Sequence, residues 1–537
     1  MPSAPDRPPR QPADCPFVAR TPILLFASWA LLALAWAMAN PPFAAPDEAA
    51  HYLRALGLSE GRVIGSDPKV VPEQATPIRQ EYAAMTTRDV KIPGKLAPQD
   101  PGCYVLDPQA PATCIDSERP LPGEQTIPSY VGDYQPLPYL LPAALTRAGG
   151  GSNAADRWGR IGSMLPALAM LALALALLWD PITRGLSLLG IVVAVTPMVV
   201  FCTASLTGSG LEITAGIAFA AALLRIWRDD GAPPPWTWAA LAVSGALLAL
   251  SRSAAPAWIA FDLILFVAVF GVRRSWQLVR SRGGVLVAGA VIAVAIVLNR
   301  VWESLYGPDV SLSLRNARFG LRVGWDQLPG GLEQLVIAYG YLEFRPPTFL
   351  WLAWLVILAA VVAAGLVVGA RRERIVLAVT AVIAPFVPLV LFIVLIRHTG
   401  FGIQGRHVLP LLVVLPLLGG EVVRAHRERL SAVARRALLV GVPLVAAGGQ
   451  VAAWWYNARR AGTGVGHDLW FVGDAHWDPP LGWWWWVAAV LAGAALLALS
   501  LALAGAHDEA EPPAGPEPAL DRPPAAQQQL VGADRGG

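Results

Sequence analysis

No run of basic residues interleaved with aromatics occurs in this chain, and a formal net charge of +3 is small for 537 residues. Nucleic acid is therefore excluded as a partner. There is no glycine-rich loop followed by Lys-Ser or Lys-Thr, no Gly-x-Ser-x-Gly, and no zinc-type spacing of Cys or His. Those absences remove P-loop chemistry, the α/β-hydrolase nucleophile and a structural zinc site. Lysine occurs only at Lys69, Lys91 and Lys95, a bias that reads as genomic base composition more than as physics. Charge of either sign is thin at 15%, whereas 55% of residues are hydrophobic and the mean hydropathy is +0.49. That balance belongs to an integral membrane protein.

A bilayer-crossing helix needs roughly 20 apolar residues, and about twelve runs approach that length. They lie near 22–39, 160–179, 185–204, 211–227, 235–251, 254–272, 284–302, 349–369, 375–396, 407–423, 434–455 and 483–505. The fold class expected is an all-α polytopic membrane protein with a large extracytoplasmic loop, 40–158, after the first span. Such a loop far exceeds the usual connection of about 4–6 residues and should be folded and functional. Arg7, Arg10 and Arg20 before the first run resemble a signal peptide's start, but the run is long and has no clear small-x-small site, so it reads as a retained anchor.

Orientation follows from arginine placement, because short cytoplasmic loops carry the excess. Arg184, Arg225, Arg228, Arg273, Arg274, Arg280, Arg282, Arg371, Arg372, Arg374, Arg424, Arg427, Arg429, Arg435 and Arg436 fall on one side, which becomes the cytoplasm. The other side has Arg252, Arg397 and Arg406 in short connections, together with 40–158, 303–348 and 456–482. Both termini are then cytoplasmic, 1–21 and 506–537 are disordered tails, and 22–505 is the membrane domain. Cys103 and Cys114 fall together in the external loop, where an oxidising compartment allows a disulfide, while Cys15 and Cys202 read as free thiols.

The most informative segment is Asn40-Pro-Pro-Phe-Ala-Ala-Pro-Asp-Glu-Ala-Ala-His51-Tyr52, where the first span emerges into water. Pro46 suits a helix first turn, and the dipole favours acids there, so Asp47 and Glu48 are also what a plain helix start would carry. Helical spacing adds that Asp47, His51 and Arg54 share one stripe, with Glu48 within reach of His51 at i+3.

One spanning helix, an external Asp-Glu-x-x-His and many further spans resemble the GT-C glycosyltransferases, which take a sugar from a polyprenyl-phosphate carrier. More closely, the chain is similar to an uncharacterised bacterial membrane family, domain of unknown function 2142. The blocks are Pro-Pro-Phe-x-x-Pro-Asp-Glu-x-x-His (41–51), Tyr-x-Pro-Leu-x-Tyr (134–139), Thr-Pro-Met with Gly-Leu-Glu (196–212), Gln-Gly-Arg-His-Val-Leu-Pro (404–410) and Tyr-Asn-Ala-Arg-Arg (456–460). The chain departs from the family pattern at Ser205-Leu-Thr207-Gly208-Ser209, where Asn-Pro is usual, and at Gly340-Tyr341-Leu342-Glu343, where Gly-Trp-Leu-Asp is usual.

The resemblance implies an enzyme of cell-envelope glycan assembly in the bacterial cytoplasmic membrane. It nominates Asp47 as base for the acceptor hydroxyl, and Glu48 to position the acceptor or to hold a divalent metal, Mg or Mn. His51 would orient a carboxylate or join Asp47 and Glu48 on that ion. The lipid phosphate needs cationic donors, for which Arg54, Arg345, Arg397 with His398, and Arg406 with His407 are candidates. Tyr134 would edge the acceptor groove, and the acceptor itself, a glycan, lipid or protein, is open. Arg252 and Glu212 read equally as functional or structural. Trp483–Trp486 and their neighbours resemble an interfacial aromatic belt. The rival readings are a transporter or flippase of lipid-linked or envelope precursors, a polysaccharide polymerase or ligase, and a non-catalytic scaffold. No clear internal repeat supports the transporter.

Overall fold

The structure, a computed structural model, describes residues 20–99, 101–105, 107–115, 119–308, 317–402 and 404–510. The expected tails, except the residues where the terminal helices reach into them, and Cys15 lie outside the described residues, as do the side chains of Arg397 and His398.

Among the described residues, eight helices are long and apolar enough to cross a membrane: Thr21–Ala39, Ser152–Leu178, Ser209–Arg228, Gly283–Tyr306, Phe349–Val368, Arg371–Ile396, Ala432–Thr463 and Trp483–Leu503. Two bent pairs raise the number to ten, Arg184–Ala194 with Pro197–Ala204 at 70° and Ala255–Phe270 with Val272–Ser281 at 107°. The expected run 235–251 becomes Trp236–Ala249, only 14 residues long. The run at 407–423 is divided into Leu409–Leu412 and Val414–Ala425. Hydropathy counts apolar residues and is blind to the breaks. Pro197 restarts a helix at its first position, and Gly271, at φ 108°, adopts a backbone that a side chain would resist.

The first span, α1 (Thr21–Ala39), is apolar all round and stops before Pro41-Pro42. It lies along the C-terminal helix Trp483–Ala510, where the Ser28 hydroxyl donates to the Gly493 carbonyl at 2.7 Å. Small residues at such a crossing let the backbones approach, as expected of helices packing in lipid.

Between α1 and the next long apolar helix the chain builds α2 (Glu48–Ser59), α3 (Pro77–Thr86), the hairpin strands β1 (Arg88–Pro93) and β2 (Glu124–Ser129), and α4 (Leu140–Thr146). The strands pair antiparallel from Arg88 with Ser129 to Pro93 with Glu124. Their alternation turns Val90 and Ile92 inward and leaves Lys91 outside, 2.9 Å from Glu124. Val90 and Ile92 join Phe43, Tyr52, Leu53 and Leu56 in a separate small core that also takes in Ala155 and Leu206. That core seats the 40–151 segment on α5 (Ser152–Leu178). Cys103 and Cys114 are disulfide-bonded.

After α5 come α6 (Leu189–Ala194), α7 (Pro197–Ala204), α8 (Ser209–Arg228), α9 (Trp236–Ala249) and α10 (Ala255–Phe270). Helix α8 is the central post, with 94% of its apolar window buried inside the protein. The Trp cluster divides. Trp454, Trp477 and Trp483 are core residues, and only Trp470, Trp484 and Trp485 remain exposed as a belt would require.

Candidate functional site

The last turn of α1 leaves carbonyls that the following prolines cannot serve. Arg160, in the middle of α5, reaches them: it donates to the carbonyls of Ala37 at 2.8 Å, Asn40 at 2.7 Å and Pro41 at 2.6 Å. The same guanidinium holds both oxygens of Glu48, at 2.9 and 2.7 Å, and sits 3.1 Å from Asp156 one turn earlier. Glu48 also accepts from the backbone N–H groups of Ala45 and Leu206. Every atom of the Glu48 and Arg160 side chains is buried. Glu48, expected to meet an acceptor or a metal, is instead the saturated partner of Arg160 and does not line the cavity that Asp47 faces.

Asp47 turns the other way. It precedes α2 with φ 63°, a left-handed conformation that Asp tolerates better than most residues but that still stores strain. The twist sends its carboxylate toward the 397–408 segment, where Arg406 pairs with one oxygen and Tyr130 donates to the other at 2.7 Å. Arg406 is held in turn by Gln404 at 3.0 and 3.1 Å and by the Pro46 carbonyl at 3.3 Å. Gly405 makes this possible, since a Cβ there would collide with the Gly331 carbonyl. Burial opposes the Asp47 charge, yet Arg406 first, then His51 and Tyr130, hold the carboxyl well below the usual carboxylate range. It is ionised under all physiological conditions.

His51, one turn into α2, stacks on Tyr139 and shares a 2.7 Å hydrogen bond between Nδ1 and the Tyr139 hydroxyl. Burial pulls its imidazole down to about 3 against the opposing pull of Asp47, with Arg252 and Arg406 adding to the shift, so it is neutral at pH 7. Arg54 faces away from Asp47. It donates to the Tyr134 carbonyl at 2.5 and 3.1 Å and to the Val63 carbonyl at 2.5 Å, and so fixes the backbone that presents Tyr134.

Asp47, His51, Tyr130, Tyr134, Arg406 and His407 all line one cavity of about 580 Å³. Its depth carries Glu212 from the first turn of α8, Arg252 before α10, and Trp258. Arg252 donates to Ser209 at 3.1 Å, stands 3.9 Å from Glu212 and lies over the Tyr134 ring at 6.0 Å. One wall is greasy: Pro388, Leu391, Phe392, Leu395 and Ile396 come from the helix Val387–Thr399.

The structure thus brings together Asp47, His51, Tyr134, Arg406 and His407 from the expected set. It leaves out Glu48, Arg54 and also Arg345, which is half-exposed and paired with Glu333 at 3.2 Å. Among the described residues no three His, Cys, Asp or Glu side chains stand close enough to share a metal ion. With Glu48 saturated by Arg160, and the Asp47 oxygens taken by Arg406 and Tyr130, the three residues proposed for a divalent ion do not form its site. Sequence reasoning missed Arg160, although an Arg four residues after Asp156 inside an apolar run was a signal. Tyr130 carried none.

Asp133, between the two cavity tyrosines, is buried, and its carbonyl accepts from Trp302 at 2.8 Å. Burial, opposed by Arg88, pushes its carboxyl up to about 7. A raised folded-state value means stability that is full below the ordinary 3.8 and is lost as pH rises toward about 7. Thermal unfolding in detergent at roughly pH 5 and roughly pH 8 should show the wild type losing more stability at the higher pH than Asp133→Asn does. An equal pH dependence in both proteins would refute this assignment.

Away from the cavity, the 456–460 block makes two further contacts: Asn457 donates to the Asn40 side chain at 3.2 Å, and Arg460 pairs with Glu343 at 2.5 Å. No curated protein and no solved structure matches the chain. The family model described as predicted membrane protein, DUF2142, matches residues 30–415, a range that holds Asp47, Glu212, Arg252 and Arg406, and the chain belongs to that family.

Proposed function

We propose that this protein is a glycosyltransferase of the bacterial cytoplasmic membrane, moving a sugar from a polyprenyl-phosphate donor to an acceptor on the extracytoplasmic face during envelope glycan assembly. The observation that carries this reading is a single cavity with an ionised carboxylate at one end, two guanidiniums along it, and an apolar wall from a helix that belongs to a span with most of its apolar window unburied. A lipid phosphate with a greasy tail needs that combination.

In the reaction, the acceptor oxygen bonds to the anomeric carbon while the bond from that carbon to the phosphate oxygen breaks, its electron pair leaving with the phosphate. Arg252 neutralises the departing phosphate. Arg406 is committed to Asp47, Gln404 and Pro46, so Arg252 has more donor capacity to offer. The acceptor proton becomes acidic once the new bond has formed, so a carboxylate as weakly basic as Asp47 suffices to take it. Neutral His51 and Tyr139 hold the floor beneath.

Purified protein would be given polyprenyl phosphates bearing radiolabelled hexoses or pentoses, and label in acceptor material and free lipid phosphate would be counted. The expected result is paired appearance of both products, reduced roughly 10²–10³-fold in Arg252→Gln. Turnover equal to wild type in that variant removes Arg252 from the phosphate site.

One observation favours the transporter instead. Asp262, in the middle of α10, is buried with both oxygens unpartnered, as a site for a coupling ion would be. Lipid translocation that survives Asp47→Asn but stops in Asp262→Asn would favour that reading.

A further inference from the structure

The cavity holds two polar atoms that its own protein leaves without partners. Glu212 accepts from the Trp258 indole N–H at 3.0 Å through one oxygen, while the other is buried and makes no hydrogen bond. His407 Nε2 is likewise buried without a partner. Glu212, Trp258 and His407 all line the cavity, with Arg252 among them. An acid that served only the helix dipole would need neither the indole nor a second buried oxygen left without a hydrogen-bond partner on a residue that lines the cavity. Buried orphaned polar atoms are costly, and a site that keeps them is built to be completed by a ligand.

The charge around them limits the ligand. Arg252, 3.9 Å from Glu212, already balances that carboxylate, and Arg406 is balanced by Asp47 in the same cavity. A cationic amine would find no carboxylate that lacks a counter-charge. An anion can take the side of Arg252 turned away from Glu212, but the group that meets the bare Glu212 oxygen itself cannot be an anion. A neutral group that offers O–H to Glu212 and either donates to or accepts from His407 fits both, and the Trp258 ring supplies an apolar side for the carbon face of such a molecule.

We propose that Glu212, Trp258 and His407 form a subsite that reads the hydroxyls of a neutral, polyhydroxylated sugar ring carried by the lipid donor. The inference rests on the transferase reading and adds to it where the sugar is recognised, leaving the phosphate to Arg252 and the tail to the apolar wall. Glu212 and His407 are positioning and specificity residues here, and neither exchanges a proton with the reacting atoms.

The test compares equilibrium binding of undecaprenyl phosphate with that of undecaprenyl phosphate bearing glucose, mannose or galactose, in detergent. Wild type should hold at least one sugar-bearing lipid tighter than the bare phosphate lipid. Glu212→Gln and His407→Ala should each lose that preference by roughly tenfold to a hundredfold while still binding the bare lipid, Glu212→Gln no more weakly than wild type because Arg252 loses its counter-charge. Retained bare-lipid binding serves as the folding control, and Trp258→Phe, which removes only the donor to Glu212, replaces any variant that loses it. A wild type that binds bare and sugar-bearing lipid equally, or variants that keep the full preference, would overturn the subsite. Failure of wild type to bind any of the lipids would instead bring down the transferase reading, and the subsite with it.

Discussion

Asp47→Asn is expected to lower sugar transfer by roughly 10²–10⁴-fold, the usual contribution of a positioned proton acceptor, and to cost some stability because the buried Arg406 loses its counter-charge. The amide oxygen can still accept from Tyr130, so the turn keeps one of its two contacts. The amide cannot take a proton, and Arg406 loses the charge it is paired with. Because Arg406 and its neighbours hold the wild-type carboxyl far down, Asp47 is ionised across the working range and contributes no acid limb to the pH–rate profile there. An acid limb near the ordinary carboxylate value that vanishes in Asp47→Asn would contradict that electrostatic account. Transfer at wild-type rates in the variant would remove Asp47 from the reaction altogether.

The largest structural effect is expected one residue later. Glu48→Gln breaks a fully buried ion pair and leaves Arg160 facing only Asp156 and backbone carbonyls, a change that costs about 3–5 kcal/mol in comparable settings. Thermal unfolding in detergent, followed by tryptophan fluorescence, should show a strong drop, and Arg160→Met should behave alike. Combining Glu48→Leu with Arg160→Met should cost less than the sum of the single changes, since neither charge is then stranded. If Glu48→Gln melted like wild type yet transferred no sugar, Glu48 would belong to the chemistry after all. Adjacent acids therefore separate by assay: one through rate, the other through stability.

Why the sequence showed one of these acids and disguised the other is a matter of distance along the chain. Asp47 and His51 are close neighbours at a span's end, so helical spacing sufficed to associate them. Arg406 was recognisable as an outlier among external arginines, but its pairing with Asp47 spans 359 positions and left no local trace. Glu48 and Arg54 shared a helix with the site, and a helix start says nothing about which way a left-handed residue before it will turn. The deciding contacts for both are backbone carbonyls and a buried arginine, which hydropathy cannot register. Membrane character was plain from composition, whereas the number of crossings was not, because Pro197 bends a stretch whose apolar content is unbroken and the run at 235–251 yields a helix of only 14 residues. Arg345 satisfied the charge argument and failed on position, being tied to Glu333 in an exposed pair.

The Arg160 junction also bears on how the protein is made. Glu48 and Arg160 are 112 positions apart, and the carbonyls closing α1 have no other donor of that kind nearby. When the first span leaves the ribosome its end is uncapped, and Glu48 has no counter-charge until α5 emerges with Arg160. Conversely, α5 carries a guanidinium through its apolar run that is acceptable in lipid only against this partner. Closure of the end of the first helix therefore waits on the second long helix, which brings Arg160 to it.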